Sequence, residues 1–457
     1  MSKYGAYLDQ HRETHVRQLL DFLRIPSVSA LPRHKEDVHR AAQWAADHLR
    51  AIGVPKVEIL ETGGHPIVYG EWTVDANKPT YLIYGHFDVQ PVDPEHLWEN
   101  PPFEPVIKDG RIYARGACDD KGCLFLALKA VEAIAALDGK PPVNLKFMLE
   151  GEEEIGSPNL PAFLEREEQR LRADAVLCAD GGFYLPQKPD ITIGSRGICA
   201  MQIDVQGPKG DLHSGSYGGA IQNPIHALVA ILASLRSPEG KVLVKGFYDG
   251  VRPLTDEERA DIARVPFDEK AFFEGVGVSE GFGEPGYSTL ERLWARPTLE
   301  INGIWGGFQG EGTKTVLPAE AHAKITCRLV PDQEPEQVLD AIEAHIRAHT
   351  PPGVTVRITR FPGSAPAYLM SRDHPILAKA AQALREVYGE EPVFTRTGGT
   401  LPVAAMVKSI LKTDFIFFSF GDPDNQVHAP NEFFRLESLD KGARAYVRLL
   451  LSLAAGN

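Results

Sequence analysis

Several features that would mark a simpler function class are missing from this sequence. No uninterrupted apolar run approaches the ~18 residues of a membrane span, and the best stretch, Ile225 to Leu235, is short and contains His226. A helical passage through a bilayer is therefore not expected. The opening segment, Met1 to Ile25, carries Asp9, Arg12, Glu13, Arg17, Asp21 and Arg24 where a secretory leader needs an apolar centre, so export by that route is not expected either. Excess positive charge is also absent. Lys and Arg number 48 against 62 Asp and Glu, a net charge of −14, and no basic cluster stands out to neutralise phosphates, which argues against a nucleic-acid partner. Cysteine is sparse and odd in number: Cys118, Cys123, Cys178, Cys199 and Cys327 show no C-x-x-C spacing and mostly sit inside apolar runs. That pattern suits reduced, buried thiols in a cytoplasmic protein rather than a disulfide frame. There is no internal repeat and no low-complexity tract. What remains is an ordinary globular composition, 43% hydrophobic over 457 residues, enough for two or three domains with real cores. The acidic balance leaves cations, metal ions above all, as natural partners.

Apolar positions Val16, Leu19, Leu20 and Leu23, and again Val38, Ala41, Ala42, Ala45, Leu49 and Ile52, recur at helical spacing, so two amphipathic helices open the chain. Strand-like runs follow at Val57 to Leu60, Ile67 to Trp72, Tyr81 to Tyr84, Val143 to Leu149 and Ala175 to Cys178, with a helical segment from Gly122 to Leu137. Strands alternating with helices predict an α/β layer with a mainly parallel sheet and helices on both faces. Beyond Ile191 to Gly197 the texture changes. Longer alternating strands (Cys199 to Val205, Ala321 to Leu329, Val354 to Thr359) and two helices near Pro224 to Leu235 and Glu334 to His349 suggest a separate α+β unit. The α/β texture returns after Pro362-Gly363, with a helix near His374 to Tyr388, a strand Phe415 to Phe420 and a helix Leu436 to Ala454. The reading is therefore a first domain in two parts, 1–196 and 364–457, interrupted by an inserted domain over 197–363. The polar, Gly-rich stretch from Leu254 to Glu291 shows no assignable element.

The residues that carry chemistry gather at the ends of the apolar runs. Gly85-His86-Phe87-Asp88 follows a buried strand, at the edge of an α/β sheet where ligands bind. Residues two apart on an extended chain point the same way, so Asp88 can accept the second ring N–H of His86. Gly116-Ala117-Cys118-Asp119-Asp120-Lys121-Gly122 precedes a helix; one aspartate suffices as an N-cap, which leaves a carboxylate free for another role. The run Glu150-Gly151-Glu152-Glu153-Glu154 abuts another buried strand, where adjacent carboxylates repel unless cations hold them, and Asp180 stands just past Ala175 to Cys178. His428 lies in the loop beyond Phe415 to Phe420. Two imidazoles and three carboxylates, from His86, Asp119, Glu154, Asp180 and His428, match two borderline divalent ions sharing one carboxylate. Such a pair acidifies a water and polarises a carbonyl, so the chemistry expected is hydrolysis.

In order along the chain, YGHFDVQP, RGACDDKG, LEGEEEIGS, LCADGG and VHAPNE resemble the motifs of the co-catalytic di-zinc peptidases, a family that includes carnosinase, cytosolic nonspecific dipeptidase, glutamate carboxypeptidase, aminoacylase and succinyl-diaminopimelate desuccinylase. DLHSG, INGIWGGFQGEGTKTVLP, CRLVPD and RTGGTLPV are similar to the carnosinase and nonspecific dipeptidase group, and the resemblance covers nearly the whole chain. It implies a catalytic α/β domain interrupted by a smaller lid that often dimerises. It implies that His86 and Asp180 hold one metal, that Glu154 and His428 hold the other, and that Asp119 bridges them across a cis Asp119–Asp120 peptide. Asp88 would orient His86 and Glu153 would be the general base. From the lid, His213 and Thr315 would reach a neighbouring subunit's site, His213 stabilising the oxyanion, while Arg328 and the Gly398-Gly399-Thr400 turn would hold the substrate's terminal carboxylate. The cofactors implied are two divalent ions, Zn or Mn with Co tolerated; the partners implied are a small peptide substrate and a second copy of the chain. Dipeptide hydrolysis leads, an N-acyl amino acid deacylase or desuccinylase on the same site is the rival, and a binding protein that kept the fold is the rival from another class.

Overall fold

The computed structural model describes residues 3–454. The chain divides into two compact units, one built from 1–193, 370–395 and 406–457, the other from 194–369 and 396–405.

The first unit is organised by a six-stranded sheet in the order Lys56–Leu60, Ile67–Trp72, Asn144–Glu150, Thr80–His86, Ala175–Cys178, Asp414–Phe417. The three pairings among the last four strands are parallel, and the two pairings at the opposite edge are antiparallel. The central strands are apolar without alternation and buried nearly throughout, as strands covered on both faces must be. The helix Lys121–Asp138 packs against Lys3–Leu23, against Leu436–Ala454 and against the strand Thr80–His86, and from Lys121 to Val131 every residue is buried. Its entry depends on Gly122, where a Cβ would lie 2.0 Å from the carbonyl oxygen of Ala117. Lys3–Leu23 and Lys35–Ile52 are the two helices expected at the start.

The inserted unit is built on a four-stranded antiparallel sheet in the order Thr298–Gly306, Glu320–Leu329, Gly197–Gln206, Thr355–Arg360. Glu320–Leu329 alternates between buried and more open positions, the signature of a sheet with one covered face. On that face Cys199, Ile203 and Ile325 pack with Leu228 and Ile231 of the helix Pro224–Ser234 and with Ile342 and Ile346 of Pro335–Ala348. The stretch 254–291, which showed no assignable element in the sequence, contains the helices Asp256–Arg264 and Glu269–Gly275 and the start of Thr289–Ala295. Two of them open on capping boxes, Thr255 with Glu258 and Ser288 with Glu291. The segment 396–405 groups with this unit although the sequence reading ran the first domain unbroken from 364: Arg396 pairs with Glu258 at 2.6 Å and Arg196 donates to the carbonyl of Gly398.

Candidate metal centre

Parallel strands bring their carboxyl ends to one edge, and the acidic and imidazole side chains of the first unit meet there. His86 ends its strand beside Glu150, in register across the ladder. Its Nε2 lies 3.0 Å from Oδ1 of Asp119, while Nε2 of His428 lies 2.9 Å from the other oxygen, Oδ2, and 3.1 Å from Oε2 of Glu154. Asp119 thus presents one oxygen to each imidazole. Ligand atoms of His86, Asp119 and Asp180 fall within 4.8 Å of one another, as do those of Asp119, Glu154 and His428. Asp119 belongs to both of these three-residue groups.

Neighbouring groups fix several of the candidate ligands in place. The Asp119–Asp120 peptide is cis, and the two aspartates divide the work: the Oδ2 of Asp120 accepts the backbone N–H of His86 at 3.0 Å. It makes no side-chain cap for the helix that follows. Asp88 lies fully buried beneath His86, whose Nδ1 is 3.1 Å from the Asp88 backbone carbonyl and 3.4 Å from its Oδ1. A proton on Nδ1 directed there leaves the Nε2 lone pair facing Asp119, which is the tautomer a metal ligand requires. The carboxylate of Asp88 also accepts the N–H groups of Glu153 and Glu154 at 3.2 and 3.1 Å, tying the acidic turn to the histidine. That turn is a single 3-10 segment, Glu153–Ile155, and it sends neighbouring glutamates in different directions. Glu152 is buried and accepts from His65 and Asn159, whereas Glu154 meets His428 and Gln90. His428 itself is half exposed, in the left-handed region at φ 61°, a conformation that non-glycine residues hold only where the surroundings enforce it.

Burial and mutual repulsion perturb the acidic groups of the cluster strongly. Burial, reinforced by the charges of Asp180, Glu154 and Asp119, pushes Glu153 well above the carboxylate range, and burial beside Asp119 and Glu154 brings Asp180 up to about 7. Asp119 goes the other way: burial opposes its charge, yet hydrogen bonds from His428 and His86 hold it well below the usual range. The bonds to Asp119 and Glu154 carry His428 up to about 10. Glu154 Oε1 is buried with no hydrogen-bond partner. A cluster of carboxylates with an orphaned oxygen and two imidazoles fits divalent cations.

The comparisons agree with that chemistry. Residues 82–452 match the model of the peptidase family M20/M25/M40. This chain belongs to that family. Membership brings divalent-metal binding with it. The chain is 33% identical to the Cys-Gly metallodipeptidase dug1 of Schizosaccharomyces pombe, covering all of this chain and 98% of that one, and 32% identical to the Beta-Ala-His dipeptidase of Homo sapiens, covering 99% and 93%. Among solved structures it is similar to the M20 family metallo-carboxypeptidase Sso-CP2 from Sulfolobus solfataricus, with a TM-score of 0.81 and 32% identity over 97% of this chain and 99% of that one.

Within the inserted unit of this M20 peptidase, the expected substrate residues form two groups. His213 is exposed, in the two-residue strand Leu212–His213 paired with Val316–Leu317; its Nδ1 accepts from Gly215 at 3.0 Å, and the neighbouring Ser214 N–H reaches the carbonyl of exposed Thr315. Arg328 donates from Nη1 to Oγ1 of Thr400 at 2.6 Å, and Gly399 donates to Thr397.

Glu432, the last residue of the VHAPNE motif, carried no assigned role in the sequence. Fully buried, it takes Nη1 of Arg115 at 2.7 Å and the N–H groups of Gly116, Cys118 and Asp119 at 3.0, 2.9 and 3.1 Å, so one carboxylate fixes the whole loop that presents Asp119. The available signal was a glutamate directly preceding the apolar pair Phe433-Phe434.

Proposed function

We propose that this chain is a dipeptidase working with two divalent ions, Zn or Mn with Co tolerated, held by His86 and Asp180 on one side and Glu154 and His428 on the other, with Asp119 shared. The observation that carries the reading is the Asp119 carboxylate set between two imidazoles, each within 3.0 Å of a different oxygen. Bound there, a pair of divalent ions supplies an acidified water and a polarised scissile carbonyl. The chain's own groups do the rest. Glu153, whose raised affinity for a proton suits a base that must also give it back, takes the water's proton and returns it to the departing amine. Asp88 keeps His86 in the tautomer that faces the site. His213 steadies the developing oxyanion, with Thr315 beside it, and Arg328 with Gly399 and Thr400 receives the substrate's terminal carboxylate.

The same reading has His213 and Thr315 acting on a second copy of the chain. The edge strand Thr298–Gly306 supports a homodimer through the inserted unit, because Ile301, Ile304 and Trp305 along it, and Phe308 just past it, are exposed apolar side chains. Cytoplasmic residence is supported by the five cysteines, all free and buried. Among the described residues, no helix is long and apolar enough to cross a membrane.

Parallel assays of unblocked dipeptides and of N-acetyl and N-succinyl amino acids, after reconstitution with Zn, Mn and Co, test the proposal. Dipeptides should be cleaved and the blocked amino acids left intact; the reverse pattern assigns the site to a deacylase, and no turnover on either set removes the hydrolase.

A further inference from the structure

We propose that the inserted unit carries a pocket for a second substrate carboxylate, so that dipeptides ending in aspartate or glutamate are the preferred class. The proposal rests on the dipeptidase reading for the reaction, and on the inserted unit alone for the binding. A cavity of about 490 Å³ opens there, lined by Arg196, Arg236, Arg292, Arg296 and Arg328, a size that takes an amino-acid side chain comfortably. Its carboxylates are Glu284 and Glu300, and both are engaged: Glu284 is paired through both oxygens with Arg296 at 2.8 Å, and Glu300 lies 3.4 Å from Arg236.

Three arginines are left, and each spends its hydrogen bonds on neutral acceptors. Arg196 donates to the carbonyls of Gly398 and Arg296, Arg292 to the carbonyl of Glu284, and Arg328 to the hydroxyl of Thr400. Arg196 is only 8% exposed. Burial, together with the nearby charge of Arg328, lowers its pKa to about 10, whereas a guanidinium beside a carboxylate would be raised. Glu300 also acts on Arg196, but that carboxylate is half exposed and held by Arg236. A buried cation without a counter-ion is a costly arrangement that a bound anion relieves. One terminal carboxylate on Arg328 leaves Arg196 and Arg292 unmatched. A second carboxylate, on the side chain of the C-terminal residue, completes the match, and the planar guanidinium forks favour that group over a neutral amide.

The test compares kcat/KM on Ala-Glu and Ala-Gln, which differ by one charge and little in shape, using the metal-reconstituted enzyme. A preference for Ala-Glu of about tenfold is expected, the size of one charge-assisted hydrogen bond, shrinking as salt is added. In Arg292→Gln the ratio should fall toward unity; should that variant not fold, the salt dependence of the ratio in the unaltered enzyme makes the same decision. Calorimetric titration of the metal-free enzyme with Ala-Glu, Ala-Gln and inorganic phosphate reads binding apart from turnover, and Ala-Glu should bind the tightest. Equal kcat/KM for the two peptides overturns the pocket and leaves the dipeptidase standing. Tighter Ala-Glu binding with neither peptide cleaved supports the pocket and sinks the dipeptidase. Phosphate binding as tight as Ala-Glu overturns the acidic-peptide assignment in favour of a plain anion site.

Discussion

The two units hold their functional side chains in opposite ways. In the first, three of the candidate ligands have partners packed against them: Asp120 and Asp88 under His86, Glu432 under Asp119, Gln90 beside Glu154. In the inserted unit, His213 and Thr315 are exposed, and three of the five arginines of the cavity, Arg196, Arg292 and Arg328, lean on carbonyls and a hydroxyl. The difference teaches that rigidity goes where charge must be concentrated. Carboxylates brought within reach of one another repel, so the scaffold must fix them, while a side chain that binds a substrate end can be fixed by the substrate itself.

Substitutions across the two units should separate them by size of effect. Glu153→Gln keeps the shape of the acidic turn but removes the carboxylate proposed as the base, and should lower kcat by about 10³-fold, about 4 kcal/mol, while elemental analysis finds metal still bound. Turnover within tenfold of the parent would take the base role away from Glu153. Glu432→Ala leaves Arg115 buried without its partner and frees four donors at once, so chemical denaturation should show a loss of about 3–4 kcal/mol. A loss below about 1 kcal/mol would show that the Asp119 loop is held by something else. In the inserted unit, His213→Ala should cost about 10²-fold in kcat, about 2.7 kcal/mol, with the unfolding midpoint unmoved because the side chain is exposed. A shift in stability of comparable size would make His213 structural and erase the contrast.

The smallest effect belongs to a buried histidine of the first unit and depends on pH. Burial, then the charge of Lys129, lowers the pKa of His48 to about 3, and the ring stacks on Trp44 with centroids 4.7 Å apart. The folded chain therefore binds the His48 proton later than the unfolded chain, whose value is near 6.5. Stability from this group is complete above pH 6.5 and drains away as pH falls from there toward 3. Between pH 7 and pH 5 the parent should lose about 2 kcal/mol more than His48→Phe, which keeps the stack and has nothing to protonate. Parallel loss in both proteins would remove His48 from the acid limb.

Much of the fold was legible in the sequence because the parallel strands are buried on both faces, so Thr80–His86, Asn144–Glu150 and Ala175–Cys178 read as continuous apolar runs with polar residues massed at their ends. The 254–291 stretch showed no assignable element for want of hydrophobic period, although Thr255 with Glu258 and Ser288 with Glu291 carried a helix-start pattern at the right spacing. The site was legible as a set of residue types and less so as a set of roles. Adjacent glutamates 152, 153 and 154 look alike in a sequence, and only the folded turn sends Glu152 to Asn159 and Glu154 to His428.

The sequence by itself determined the order of elements, the insertion, and the gathering of two histidines and three carboxylates at strand ends, because hydrophobic period and strand polarity are local properties. Only the tertiary structure decided that Asp120 supports the backbone of His86 while Asp119 faces both imidazoles, that Glu432 anchors a loop more than three hundred residues away, and that Arg196 and Arg292 share a cavity with Arg328 and no spare carboxylate. Those facts depend on which distant groups come within hydrogen-bonding or Coulombic reach, and chain order does not encode that distance.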